Sequence, residues 1–325
     1  MDTTNAPPAV ILTRSAHAPA RTLVAPPLRA TDGLAQDAPG RDRRGRVVRN
    51  PFVRLLLFLL LVGFGVLVAS FALAGLGQGL GVLTGGIVQL VAVCLAYLML
   101  VALIEGRRPL ELEPRRAMGV APGLGLGAAL FLASFGVIAL LGGYRFDGVD
   151  PAYDPWLLVF VAGLVAGVTE EMMFRGVLFR LTEELVGTWG ACVVSGAVFG
   201  LVHLTNADAT WWGAVAIGLE AGLMFALLYV VTRSLWVCMG VHAAWNVVQG
   251  PILGVAVSGT GDPGGFVQTS PVGPDWLSGG RFGAEASYVT VALLVAFTAW
   301  LAVVAVRRGL VVAPWWTRRR RFPAA

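Results

Sequence analysis

The chain contains no lysine; all 24 of its basic residues are arginine. Charged residues of both signs make up only 13% of the sequence, well below the roughly 25% of an ordinary soluble domain. Histidine and cysteine are nearly absent, with three copies of each. Cys94, Cys192 and Cys238 stand singly inside apolar runs. That pattern excludes a disulfide framework or zinc ribbon and reads as small core residues. No H-E-x-x-H sequence occurs, which removes the common single-helix zinc site. Many arginines sit in the two tails, where they suit the anionic face of a membrane better than nucleic acid, and no nucleic-acid partner is expected.

What is abundant is apolar surface, 57% of residues being hydrophobic. After residue 54, runs long enough to cross a hydrocarbon core, about 20 residues as helix, follow one another almost without pause. Candidate spans lie at 55–76, 82–104, 118–141, 156–180, 188–205, 211–231, 235–256 and 286–306. The fold class expected is all-α, a polytopic membrane protein of about eight transmembrane helices. Residues 1–50, rich in Pro, Ala, Asp and Arg, read as a disordered cytoplasmic tail. Residues 51–309 read as the transmembrane domain and 310–325 as a basic cytoplasmic tail. The first apolar run lacks a small-residue cleavage site and reads as a span rather than a signal peptide.

Cytoplasmic loops should collect arginine, and the segments between spans alternate accordingly. Arg107, Arg108, Arg115 and Arg116, then Arg180, then Arg233, then the Arg307 to Arg321 tail share one side with the amino-terminal tail. The 77–81 turn, the Asp147, Asp150 and Asp154 loop, the Asn206 to Thr210 turn and the Gly/Pro-rich 257–285 loop share the other. Both termini are expected to be cytoplasmic, in a bacterial cell membrane. Gly163, Gly167, Gly196, Gly200, Gly218 and Gly222 mark places where helix backbones should approach closely. No internal repeat is visible, which disfavours a secondary transporter.

An ionisable side chain at the centre of a span costs at least roughly 2.5–3.5 kcal/mol, so each needs a partner or a purpose. The fourth span carries Glu170, Glu171 and Arg175, the fifth Phe199 and His203, and the seventh His242 and Asn246. Glu171 and Arg175 are four residues apart and should face one another, while Glu170 points about 100° away. Burial without a nearby cation should push the Glu170 carboxyl upward, toward the range of a general base. His242 and Asn246 share a helix face and can aim N–H donors at one point, as a developing oxyanion requires. At 1.5 Å per residue, Glu170 lies roughly 15 Å and His242 roughly 11–14 Å from the cytoplasmic ends of their spans, and His203 roughly 22 Å. The site is therefore expected below the cytoplasmic surface, in a protein-lined cavity.

The ordered trio E-E-x-x-x-R, F-x-x-x-H and H-x-x-x-N, with Phe174-Arg175-Gly176 and the Thr232-Arg233-Ser234-Leu235 turn, resembles the CAAX-processing and bacteriocin-processing (CPBP, or Abi) intramembrane endopeptidases over roughly residues 150–250. The resemblance implies hydrolysis of a peptide bond in a membrane-associated protein or peptide near the cytoplasmic face. Glu170 and His203 would activate water, His242 and Asn246 would stabilise the oxyanion, and Glu171, Arg175 and Phe199 would support them. A divalent metal such as zinc would have to draw on Glu170, His203 and His242 from three spans; no organic cofactor is implied. Glu220, inside the sixth span, belongs to none of the motifs and could pair with Arg175, line the cavity or bind a substrate group. A proton- or cation-coupled transporter and a non-catalytic membrane scaffold or immunity protein are the competing readings.

Overall fold

A computed structural model describes residues 50–73, 78–262 and 264–321. The expected disordered tail, apart from Asn50, lies outside the described residues. Helix occupies each of the eight apolar segments: α1 (Pro51–Leu73), α2 (Gln78–Met99, prolonged by a π turn over Leu100–Ile104), α3 (Val120–Leu140), α4 (156–186), α5 (188–202), α6 (211–232), α7 (235–252) and α8 (Tyr288–Arg307). Among the described residues, five helical runs are long and apolar enough to cross a membrane, α4 and α5 counting as one run of 50 residues, Trp156–Thr205. The chain is a polytopic helical membrane protein.

That long run is broken at Gly187, whose φ of 75° no residue with a Cβ adopts readily. A Cβ there would also lie 2.7 Å from the Val312 carbonyl, because the chain after α8 returns to pack on the bend. A short helix α9 (Trp315–Arg321) follows, its Arg318 donating to the Glu184 carbonyl.

The helices pack through their glycines. A Cβ on Gly200 would sit 2.3 Å from the Ala214 carbonyl, and one on Gly222 2.6 Å from Gly196 Cα, so α5 and α6 touch backbone to backbone. Gly123, Gly127 and Gly240 do the same between α3 and α7.

One end of the bundle is closed by buried ion pairs. Arg180 donates to Glu105 at 2.8 Å, Arg107 to Glu105 and Glu111 at 2.7 Å each, and Arg54 to Glu105 at 3.2 Å and to Glu184. Arg233, at the left-handed turn between α6 and α7, meets Glu183 at 2.5 Å. The arginines that mark one side in the sequence are thus not simply solvated: Arg54, Arg180 and Arg233 are buried with carboxylates from neighbouring segments. Glu183 and Thr188 are buried as well, so the α4–α5 bend does not project as a polar hairpin.

The other end departs from a purely helical plan. Strands β1 (Tyr144–Val149) and β2 (Val267–Pro271) pair antiparallel, Tyr144 opposite Pro271 and Val149 opposite Val267, with an irregularity between Phe146 and Gly148. The two arginines at this end each meet an aspartate, Arg145 with Asp147 at 2.6 Å and Arg281 with Asp208 at 2.7 Å. The 257–285 segment is no simple surface loop. Ser258, Phe282 and Glu285 are buried, and Asn206 Nδ2 donates to the Ser258 carbonyl at 2.6 Å.

Candidate active site

Glu170 and Glu171 end a five-residue α-helical segment, Gly167–Glu171, between two π-helical stretches, Val159–Ala166 and Met172–Phe179. Such widened turns redirect side chains and occur often at functional sites. Glu171 faces the interior at 0% exposure, and Arg175 Nη1 donates to its Oε1 at 2.9 Å. Arg175 Nη2 donates to the carbonyls of Ala221 at 3.0 Å and Gly222 at 3.2 Å, in the π turn Gly218–Gly222 of α6. The guanidinium carbon lies 4.8 Å from the Phe199 ring centre and 5.0 Å from that of Phe225, a cation–π setting. Arg175 therefore ties α4 to α5 and α6. Glu220 is not its partner.

His242 shares the same carboxylate, with Nδ1 2.9 Å from Glu171 Oε1. The ion-paired Glu171 accepts, so Nδ1 carries the hydrogen and Nε2 is the atom turned to Glu170 Oε2, 3.9 Å away and beyond hydrogen-bond reach. Glu171 thus orients His242 as well as Arg175, a double role that the spacing alone did not reveal. The Glu170 side chain is 25% exposed. Its Oε2 is nonetheless buried and without a hydrogen-bond partner, while Glu171 is enclosed completely.

Asn246, one turn beyond His242, donates from Nδ2 to the Ala162 carbonyl at 2.9 Å, which fixes its amide against α4. His203 lies in the 3-10 turn His203–Thr205 that ends α5. Its Nδ1 donates to the Phe199 carbonyl at 2.7 Å, leaving Nε2 as the lone-pair atom of the neutral ring.

Glu170, His203, His242 and Asn246 all line one cavity of about 620 Å³. Its mouth carries Asn206, Thr260 and Asp262, the latter two exposed, and its depth reaches Met173 and Met224. His203 stands three residues before Asn206 in the turn that ends α5, whereas Glu170 and His242 lie within α4 and α7. All mouth residues belong to the end that carries β1 and β2. The buried ion pairs close the opposite, arginine-rich end.

The lining residues not singled out from the sequence include Ser258, Asp262 and Glu285. Glu285 accepts from the Ser258 backbone N–H at 2.5 Å, from the Ser258 hydroxyl at 3.1 Å and from Trp245 Nε1 at 3.2 Å. Burial pushes its carboxyl above the ordinary range, against the opposing pull of Ser258 and His203. The only sequence signal was an acidic residue set among small apolar neighbours, Ala284 and Ala286, just before a span. Glu220 also lines the cavity.

A metal centre is not supported by this arrangement. Among the described residues no three His, Cys, Asp or Glu side chains converge on a point that could hold an ion. His242 and His203 each keep Nε2 free, so it is the missing convergence of three ligands, rather than the nitrogens, that fails to fit an ion.

Comparison with known proteins bears on the same stretch. The family described as type II CAAX prenyl endopeptidase Rce1-like matches residues 152–248. YdiL of Bacillus subtilis (strain 168), a proposed membrane peptidase, is 29% identical over 90 residues, 28% of this chain and 34% of that protein. The match therefore spans about a third of the relative's length. No solved structure matches. The matched stretch holds Glu170, Glu171, Arg175, His203, His242 and Asn246 but ends before Ser258 and Glu285. Over residues 152–248, which carry the three motifs that line the cavity, the chain is similar to the type II CAAX prenyl endopeptidase Rce1-like family.

Proposed function

We propose that the protein is an intramembrane endopeptidase that hydrolyses a peptide bond of a membrane-associated protein or peptide inside this cavity. The observation that carries the proposal is the gathering of Glu170, His203, His242 and Asn246, from two helices and a helix-terminal turn, around one cavity. A water held between Glu170 and His203 Nε2 gives up a proton to Glu170 and adds as hydroxide to the carbonyl carbon. The resulting oxyanion accepts from Nε2–H of an imidazolium His242, which is flanked by Glu171 and Glu170, and from the Asn246 amide. The C–N bond then breaks, and Glu170 returns its proton to the leaving amine. Glu171 and Arg175 hold the imidazole and the helix in place.

The arginine pattern supports a closed end at the cytoplasm, with the mouth at the other end. A scissile bond reached from the mouth approaches from the non-cytoplasmic side, opposite to the cytoplasmic-face cleavage expected from the sequence.

The test uses purified full-length protein in lipid with a membrane-tethered reporter peptide. Glu170→Ala is expected to abolish cleavage while leaving the thermal unfolding transition in place. Equal cleavage by wild type and variant would sink the proposal. Cleavage by the wild type is expected to continue in the presence of a chelator.

A further inference from the structure

The cavity wall carries more carboxyl groups than hydrolysis uses. Besides Glu170, three carboxylates line it: Glu220, Asp262 and Glu285. No arginine lines it among the described residues, because Arg175 is turned behind the wall toward Glu171 and two backbone carbonyls. Glu220 is 1% exposed, and its Oε2 has no hydrogen-bond partner. Glu285, 4% exposed, lines the same cavity. A buried, unpartnered carboxylate is unfavourable unless something positive meets it.

The space around the pair suits an extended cation better than a compact one. Ile217, Met224 and Leu294 line the same cavity and offer an apolar track for an aliphatic stem, with the carboxylates beside it for a charged head. A small hydrated ion would gain nothing from that track. We propose that Glu220 and Glu285 form a subsite for an arginine or lysine side chain of the substrate peptide, which Asp262 at the mouth helps to attract. Arginine is the better fit, since its planar guanidinium can meet two carboxylates through several N–H donors at once. This specificity assignment rests on the peptide-hydrolysis reading, but its test reads binding rather than turnover.

The experiment places the full-length protein in nanodiscs of zwitterionic lipid and measures binding of fluorescent, N-acylated apolar decapeptides. In one set an arginine is walked through each position; in the matched set it is citrulline, the uncharged isostere. At one or more positions wild type is expected to prefer arginine by at least about tenfold, the size of one charge-assisted hydrogen bond. Glu220→Gln and Glu285→Gln are each expected to erase most of that preference while citrulline peptides bind as before. Should Glu285→Gln unfold, Glu220→Gln decides, because Glu220 Oε2 makes no hydrogen bond that the amide would break. Equal binding of both sets at every position, binding of neither, or a preference that survives Glu220→Gln overturns the proposal. The last two results would fit carboxylates that merely share a proton. Glu170→Ala is expected to retain the arginine preference after losing cleavage. A protein that shows the preference yet cleaves nothing keeps the subsite and loses the peptidase reading.

Discussion

At the scale of single residues, the arrangement turns on one carboxylate with two partners. Glu171 accepts from Arg175 and from His242 at 2.9 Å each, all within the apolar interior. Removing the guanidinium leaves that carboxylate buried without its main counter-charge, so Arg175→Ala is expected to lower stability by about 3–5 kcal/mol. Lysine should rescue poorly, because an ammonium cannot reach Glu171 and two carbonyls in one plane. Unfolding of the three proteins in detergent, followed by circular dichroism, checks both expectations. Outside the spans, Glu111 makes a separable pH prediction. Burial raises its carboxyl, but hydrogen bonds and charge from Arg107, with Arg180 and Tyr97, more than offset this and bring it to about 2, below its ordinary 4.5. A carboxylate lowered on folding stabilises fully above its unfolded value and loses that contribution as pH falls from about 4.5 through about 2. Wild type is thus expected to exceed Glu111→Gln by up to about 3 kcal/mol at neutral pH. The gap should close over that acid window, as unfolding temperature against pH will show.

Elements are held by backbone contact rather than by side-chain interdigitation. Lipid offers no hydrophobic reward for helix association, so close approach through glycine supplies much of the packing. Gly200 has no room for a side chain against the Ala214 carbonyl. Gly200→Val should therefore push α5 from α6, displace His203 at the end of α5, and destabilise by about 1–3 kcal/mol. A control at Gly125, where a Cβ meets nothing, is expected to be near neutral in the same unfolding assay. The close-packing glycines of α5 and α6 were legible in the sequence because small residues recur on one helical face. The role of 257–285 was not. Glycine and proline there signal turns, and nothing local announces that Ser258 and Glu285 fold back under Trp245 to complete the cavity.

Over the whole molecule, the two ends of the bundle differ in kind: one is locked by interleaved arginines and carboxylates, the other opens between Asn206, Thr260 and Asp262. Combined with the positive-inside rule, this predicts a cavity facing away from the cytoplasm. Thr260→Cys and Arg108→Cys, both at exposed positions, put that to the test in intact cells. A membrane-impermeant thiol reagent is expected to label the first and spare the second; the reverse pattern would turn the cavity to the cytoplasm.

Composition and hydropathy determined by themselves that the chain is a bundle of membrane helices, because a hydrocarbon solvent leaves the backbone few alternatives. Spacing along α4 determined that Glu171 meets Arg175, since helix geometry places residues four apart on one face. Partners distant in sequence were decided only in three dimensions. Which glutamate His242 touches, where Glu220 points and what Glu285 joins all depend on how α4, α6, α7 and the 257–286 segment pack together. So does the direction in which the cavity opens, for it follows from which helix ends are tied by ion pairs, a relation between segments up to 130 residues apart, as between Arg54 and Glu184.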